Sequence, residues 1–203
     1  MMSNLIWMVI LTVSVCVIIL SAAIGDPPTL MAMTGIISFA LALIAIREHR
    51  NLELSGASRA SLSASTARHM GLIWMWGALG LLVSYGLILS ETWPDWTYYF
   101  AAFAAASIAC LLYAGTVDRD EALGREDQTM VNLGKYLLIA QLLGVLVALI
   151  TIYLDPSMQL LSDANPDWVA NNIFIAGAIA LTAISGYALM QDSKHQTIQA
   201  QNA

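Results

Sequence analysis

The chain has 203 residues, 59% of them apolar and 11% charged, with a formal net charge of −6 and a mean hydropathy of +0.71. Soluble domains carry about 45–50% apolar and about 25% charged residues, so the composition excludes an ordinary water-soluble fold and makes the bilayer the solvent. Eight Lys and Arg on an acidic background also leave out the basic footprint of a nucleic-acid binder.

A hydrocarbon core of about 30 Å needs roughly 20 helical residues, and six apolar windows reach that length: 5–24, 28–46, 70–90, 96–115, 133–154 and 168–190. Barrel strands are about half as long and alternate in polarity. The predicted fold is therefore all-α, a polytopic membrane protein of six transmembrane helices in one domain over 1–190, with a polar tail at 191–203. In the first window, Ser21 and Ala23 before Gly25 resemble a signal cleavage site. Residues 1–4 carry no Lys or Arg, however, and the apolar run is long for a signal, so the segment is read as a span.

Arg47, Arg50, Arg59, Arg68, Arg119, Arg125, Lys135 and Lys194 all fall in or beside the segments 47–69, 116–132 and the tail. The intervening gaps 25–27, 91–95 and 155–167 hold Asp26, Glu91, Asp95, Asp155, Asp163 and Asp167 and no basic residue. By the positive-inside rule both termini are predicted inside, N-in/C-in, with three hairpins pointing outward. The expected location is the bacterial cytoplasmic membrane, both termini cytoplasmic.

The 47–69 segment, with four Arg, two Glu, His49 and His69, reads as a connector, its histidines solvated at the interface. Pro94-Asp95-Trp96 and Pro166-Asp167-Trp168 open the fourth and sixth windows. There Asp can cap the helix and Trp can anchor at the headgroups. Trp93, Trp96, Trp168, Tyr98, Tyr99 and Tyr153 near the outer ends, and Trp7, Trp74, Trp76, Tyr113, Tyr136 and Tyr187 near the inner ends, read as two interfacial aromatic belts.

In the fourth window, Ala102, Ala106, Cys110 and Ala114 form a ladder spaced for close helix contact. It serves either packing within the chain or a partner face. Ala101, Ala105 and Ala109 run beside it, and Ala178, Thr182 and Gly186 form a third ladder in the sixth window. The run from Asp118 to Asp127 fails the calcium-loop pattern at Ala122 and Thr129 and reads as an amphipathic lead-in to the fifth span, with Glu121 and Arg125 paired one turn apart. Both cysteines lie within spans, so neither a disulfide framework nor a thiolate metal site is expected.

Gln141 is the most polar side chain deep in a window. An amide in hydrocarbon must be paired, which predicts an interhelical hydrogen bond or a ligand contact. Asn171 and Asn172, one turn into the sixth window, are the other polar candidates, with Tyr85 as a conceivable companion. No Walker loop, Gly-x-Ser-x-Gly or His-Glu-x-x-His occurs, and apart from Lys135 at the very start of the fifth window the spans hold none of the Asp, Glu, His, Lys or Arg residues on which ion coupling depends. The expectation is a non-catalytic membrane subunit or scaffold without a cofactor, its partners being the bilayer and other subunits or a second copy. The alternative is a carrier or channel for a small neutral or apolar solute.

Overall fold

The computed structural model describes residues 27–88, 95–125, 128–154 and 168–201, with a few positions between 12 and 23. The expectations for the first window, the gap at 155–167, Trp93 and the acidic residues at 26 and 91 lie outside the described residues. Among the described residues every regular element is helical: α1 (Pro27–Leu54), α2 (Arg59–Leu81) running into a π-helical segment (Leu82–Ile88), α3 (Asp95–Ala122), α4 (Gln128–Leu154) and α5 (Trp168–Gln201). Among the described residues four stretches are long and apolar enough to cross a membrane: Ala32–Leu54, Thr97–Ala122, Thr129–Val147 and Asn172–Asp192. That is compatible with an integral membrane protein. The α-helical part of α2 falls outside this set because it opens on the polar run Arg59 to His69 and its apolar half passes into the π-helical segment.

The helices do not stop where the apolar windows stop. α1 continues eight residues beyond its window, through Arg47 to Leu54, and α2 starts eleven residues ahead of its own. The expected 47–69 connector therefore shrinks to a turn at 55–58. Likewise α3 absorbs 116–122, and α5 carries the expected polar tail to Gln201. Leaving hydrocarbon does not break a helix when the next residues are good helix formers without proline. What ends α1 is Gly56, at φ +73°. Ala57 N–H donates to the Leu52 carbonyl and Gly56 N–H to that of Glu53, the paired bonds of a Schellman stop. Gly124, at φ +66°, ends α3 the same way through Arg125 N–H to Asp120 and Gly124 N–H to Glu121. Ser58 then caps α2, its hydroxyl accepting from the Ser61 N–H at 3.1 Å.

α2 is the hub, packing on α1, α3, α4 and α5, whereas α3 and α4 scarcely touch. Its glycines explain the position. A Cβ on Gly71 would lie 2.8 Å from Leu111 Cγ, and one on Gly77 2.9 Å from the Phe103 ring, both on α3. Bare backbone there lets the two helices close, and the Ser107 hydroxyl donates across the contact to the Gly71 carbonyl at 2.8 Å. The core around this seam includes Leu30, Ile37, Met70, Ile73, Leu81, Tyr85, Ile173 and Leu181, all essentially sealed from solvent.

Candidate functional site

The polar side chains gather at the end of the bundle that carries the Arg and Lys residues, here the basic end. Because α1 and α2 are helical through it, Glu48, Arg59 and Arg68 are held on rigid elements, while Arg47 and Arg50 stay exposed. His49 and His69 are each only 5% exposed, which corrects the expectation of solvated interfacial rings. His49 Nδ1 lies 3.1 Å from the Thr66 hydroxyl. That hydroxyl donates to the Leu62 carbonyl, so the His49 nitrogen is the donor of the pair. The His49 ring also meets Tyr187 edge-on at 5.5 Å.

His69 Nδ1 donates to the Ser65 carbonyl at 2.8 Å, and its Nε2 stands 3.4 Å from Glu48 Oε2. Glu48 is shared: the Ser65 hydroxyl donates to Oε1 at 3.1 Å, and an Arg68 nitrogen lies 3.9 Å away. Arg68 turns its other nitrogen to Asp118 at 2.5 Å. The two histidines thus have separate partners on α1 and α2, and they do not form a joint site. Among the described residues no group of three His, Cys, Asp or Glu side chains is arranged to hold a metal ion.

Glu121 does not pair with Arg125. α3 ends at Ala122, so Arg125 is no longer one helical turn along, and the Glu121 carboxylate instead accepts from the hydroxyls of Ser58 and Ser61. That bond ties the α1–α2 turn to the end of α3. Tyr113, expected in an aromatic belt, is buried and donates to the Met130 carbonyl at 2.9 Å, clamping the start of α4.

Beside this network lies a cavity of about 120 Å³ between α2, α4 and α5, with His49 at its edge. Arg59 of α2 and Lys135 of α4 both face Asp192 of α5, each at 3.7 Å. Nη2 of Arg59 is buried and without a hydrogen-bond partner. Among the described residues only the Ser84 hydroxyl in the π-helical segment shares that condition.

Deeper in the bundle, Gln141 is bonded at both ends of its amide. Trp74 Nε1–H donates to Gln141 Oε1 at 2.8 Å, and Gln141 Nε2 reaches Cys110 Sγ at 3.8 Å. α4 is thereby tied to α2 and α3. Trp74 is not a belt residue: it stacks in a core cluster with Phe103, at 4.9 Å between centroids, and Phe174, at 6.3 Å. Asn172 is half-buried, Asn171 lies in α5 with its side chain outside the described residues, and Tyr85 is sealed within the core.

The α3 ladder divides. Cys110 and Ala114 are buried, Ala106 is half-buried and Ala102 is exposed, while Ala101, Ala105 and Ala109 are all exposed. On α5, Ala178 is buried, but Thr182 and Gly186 are exposed; the buried face runs through Leu181, Ile184, Ser185 and Ala188 instead. Sequence reasoning missed Gly71 and Gly77. Their signal was small residues placed to face one neighbouring helix along the span where α2 meets the others.

Together the fold and these sites define, among the described residues, an all-helical bundle with several membrane-length apolar helices, with Gln141 and Ser107 in interhelical bonds and the basic residues gathered at one end. No family model matches the chain, and neither a curated protein nor a solved structure does.

Proposed function

We propose that this protein is a six-span membrane protein, three hairpins with both termini on the cytoplasmic side, that serves as a non-catalytic subunit or scaffold of a membrane complex. The supporting observation is the two-sidedness of α3. One side, through Phe103, Cys110 and Ala114, is spent on the contact with α2; the other presents Ala101, Ala102, Ala105 and Ala109 bare. This patch of small residues, bounded by the exposed Tyr98, Ile108 and Leu112, lets a second helix approach closely and gain van der Waals contact, the main attraction between helices in lipid. The polar groups within the helices favour the same reading. Gln141 bonds Trp74 and Cys110, Ser107 bonds α2, and the Thr34 and Ser38 hydroxyls bond back to their own helix. A solute using Gln141 would first have to displace the Trp74 indole.

The test is native mass spectrometry of the protein extracted gently from its own membrane. Wild type should leave the membrane with stoichiometric partner chains, and Ala105→Trp should release them while the bundle itself still folds. A wild-type protein that emerges alone would overturn the subunit reading and turn attention to flux of small neutral or apolar solutes in vesicles.

A further inference from the structure

The cavity at the basic end has a chemically divided wall. Leu62, Leu138 and Leu189 form an apolar side, while Arg59, Lys135 and Asp192 carry its formal charges, alongside the amides of Asn132 and Gln191. Two cations against one carboxylate leave a charge of +1 there. At 3.7 Å each, both ion pairs are longer than the roughly 2.7–2.9 Å of a charge-assisted hydrogen bond, so neither cation is held tightly by Asp192. A guanidinium has five N–H donors and no acceptor, and one of its nitrogens, Arg59 Nη2, is buried with nothing to donate to. Buried donors without acceptors are costly. Excess donors and excess positive charge around a partly open cavity together suit an anion.

We infer that this cavity binds a phosphate group, with Arg59 and Lys135 as its ligands and Asp192 as an internal competitor. A tetrahedral anion presents oxygens in several directions and can meet cations arriving from two different helices, whereas a planar carboxylate best meets a single fork. The phosphate can belong to an anionic phospholipid, whose glycerol and first methylenes would lie along Leu62, Leu138 and Leu189, or to a free phosphate ion. Basic pockets between spanning helices are recurrent headgroup sites. The inference does not depend on the subunit reading, since an isolated monomer contains every residue of the cavity.

The experiment uses the intact protein in nanodiscs of neutral phosphatidylcholine. Phosphatidylglycerol is added in one arm and inorganic phosphate in the other, and bound species are counted by native mass spectrometry. Arg59→Gln and Lys135→Gln should each weaken binding by about tenfold or more, the usual consequence of losing a hydrogen bond to a charged group. Arg119→Gln, which removes an exposed charge on α3, should leave it unchanged. Asp192→Asn should tighten binding, a direction that partial unfolding cannot imitate. Phosphatidylglycerol retained against millimolar phosphate identifies a lipid site, and its displacement identifies the free ion. Absence of binding in both arms, equal binding across all variants, or weaker binding in Asp192→Asn would overturn the proposal.

Discussion

Gly71→Ala tests whether the α2–α3 seam is held open for bare backbone. The added Cβ would sit 2.8 Å from Leu111 Cγ, 3.0 Å from its Cδ2 and 3.2 Å from Cys110 Cβ. Leu111 can rotate away in part, but Cys110 Cβ is fixed to the backbone, so α3 itself must retreat. Overpacking of this kind costs about 1–3 kcal/mol. Retreat also stretches the Ser107 bond to the Gly71 carbonyl, an interaction worth about 0.6 kcal/mol on average between helices in a membrane. Against these stands a gain of up to about 1 kcal/mol in helix propensity. Gly115→Ala supplies the control, because a Cβ there meets nothing within 4 Å and collects the same propensity gain. The difference between the two variants therefore isolates packing, and should be about 2 kcal/mol, roughly thirtyfold in the folding equilibrium. Reversible unfolding in mixed micelles, followed by tryptophan fluorescence, measures it. If Gly71→Ala proved as stable as Gly115→Ala, the account of α2 as a glycine-seated hub would be wrong.

A double-mutant cycle on Trp74→Phe and Gln141→Leu should give a coupling of about 0.6–1.7 kcal/mol, the range found for interhelical hydrogen bonds; additive single effects would mean that the 2.8 Å bond contributes nothing. Gly56→Ala should destabilise by about 1–2 kcal/mol because a Cβ must then occupy the left-handed region, with Gly56→Asn milder, and equal stability of wild type and both variants in the same unfolding assay would argue against the Schellman stop. The Arg68–Asp118 pair, with side chains 40% and 49% exposed, should couple by less than about 1 kcal/mol and fade in molar salt, where screening acts over about 3 Å; a coupling that persists there would show that the pair is more sheltered than its exposure implies.

Apolar runs marked the positions of the described helices because burial in hydrocarbon demands long uninterrupted stretches, but hydropathy did not single out Gly56 and Gly124 as the stops between helices. Helix ends at the basic side were harder to read. Hydropathy records where a chain leaves lipid, but Arg47 to Leu54 and Thr116 to Ala122 remain helical in a polar setting. Gln141 was recognisable as a side chain in need of a partner, since its amide is costly in hydrocarbon, yet nothing in the spacing pointed to Trp74 as that partner. The cavity was less legible still. Arg59, Lys135 and Asp192 stand far apart in the chain, and a charge count that sorts residues by side of the membrane pools them with Glu48, Arg68 and Asp118, whose charges are paired. Only tertiary packing separates the paired charges from the orphaned guanidinium nitrogen. The histidines show the same limit, since their burial follows from the helical extension of α1 and α2.

α1 also packs directly on α5, and that contact has a bearing on biogenesis. A chain is made from its N-terminus, so α1 and α2 exist long before α5 emerges, and the faces they turn to α5 stay uncovered until it arrives. A nascent chain stalled or cut before Trp168 would present Gly35, Ile73 and Gly80 without the Ala176, Gly177 and Ile173 that face them, a surface for quality-control factors to recognise. Arrival of α5 is then registered in the bundle itself, and truncation before Trp168 should be more damaging than its distance from the hub along the chain suggests.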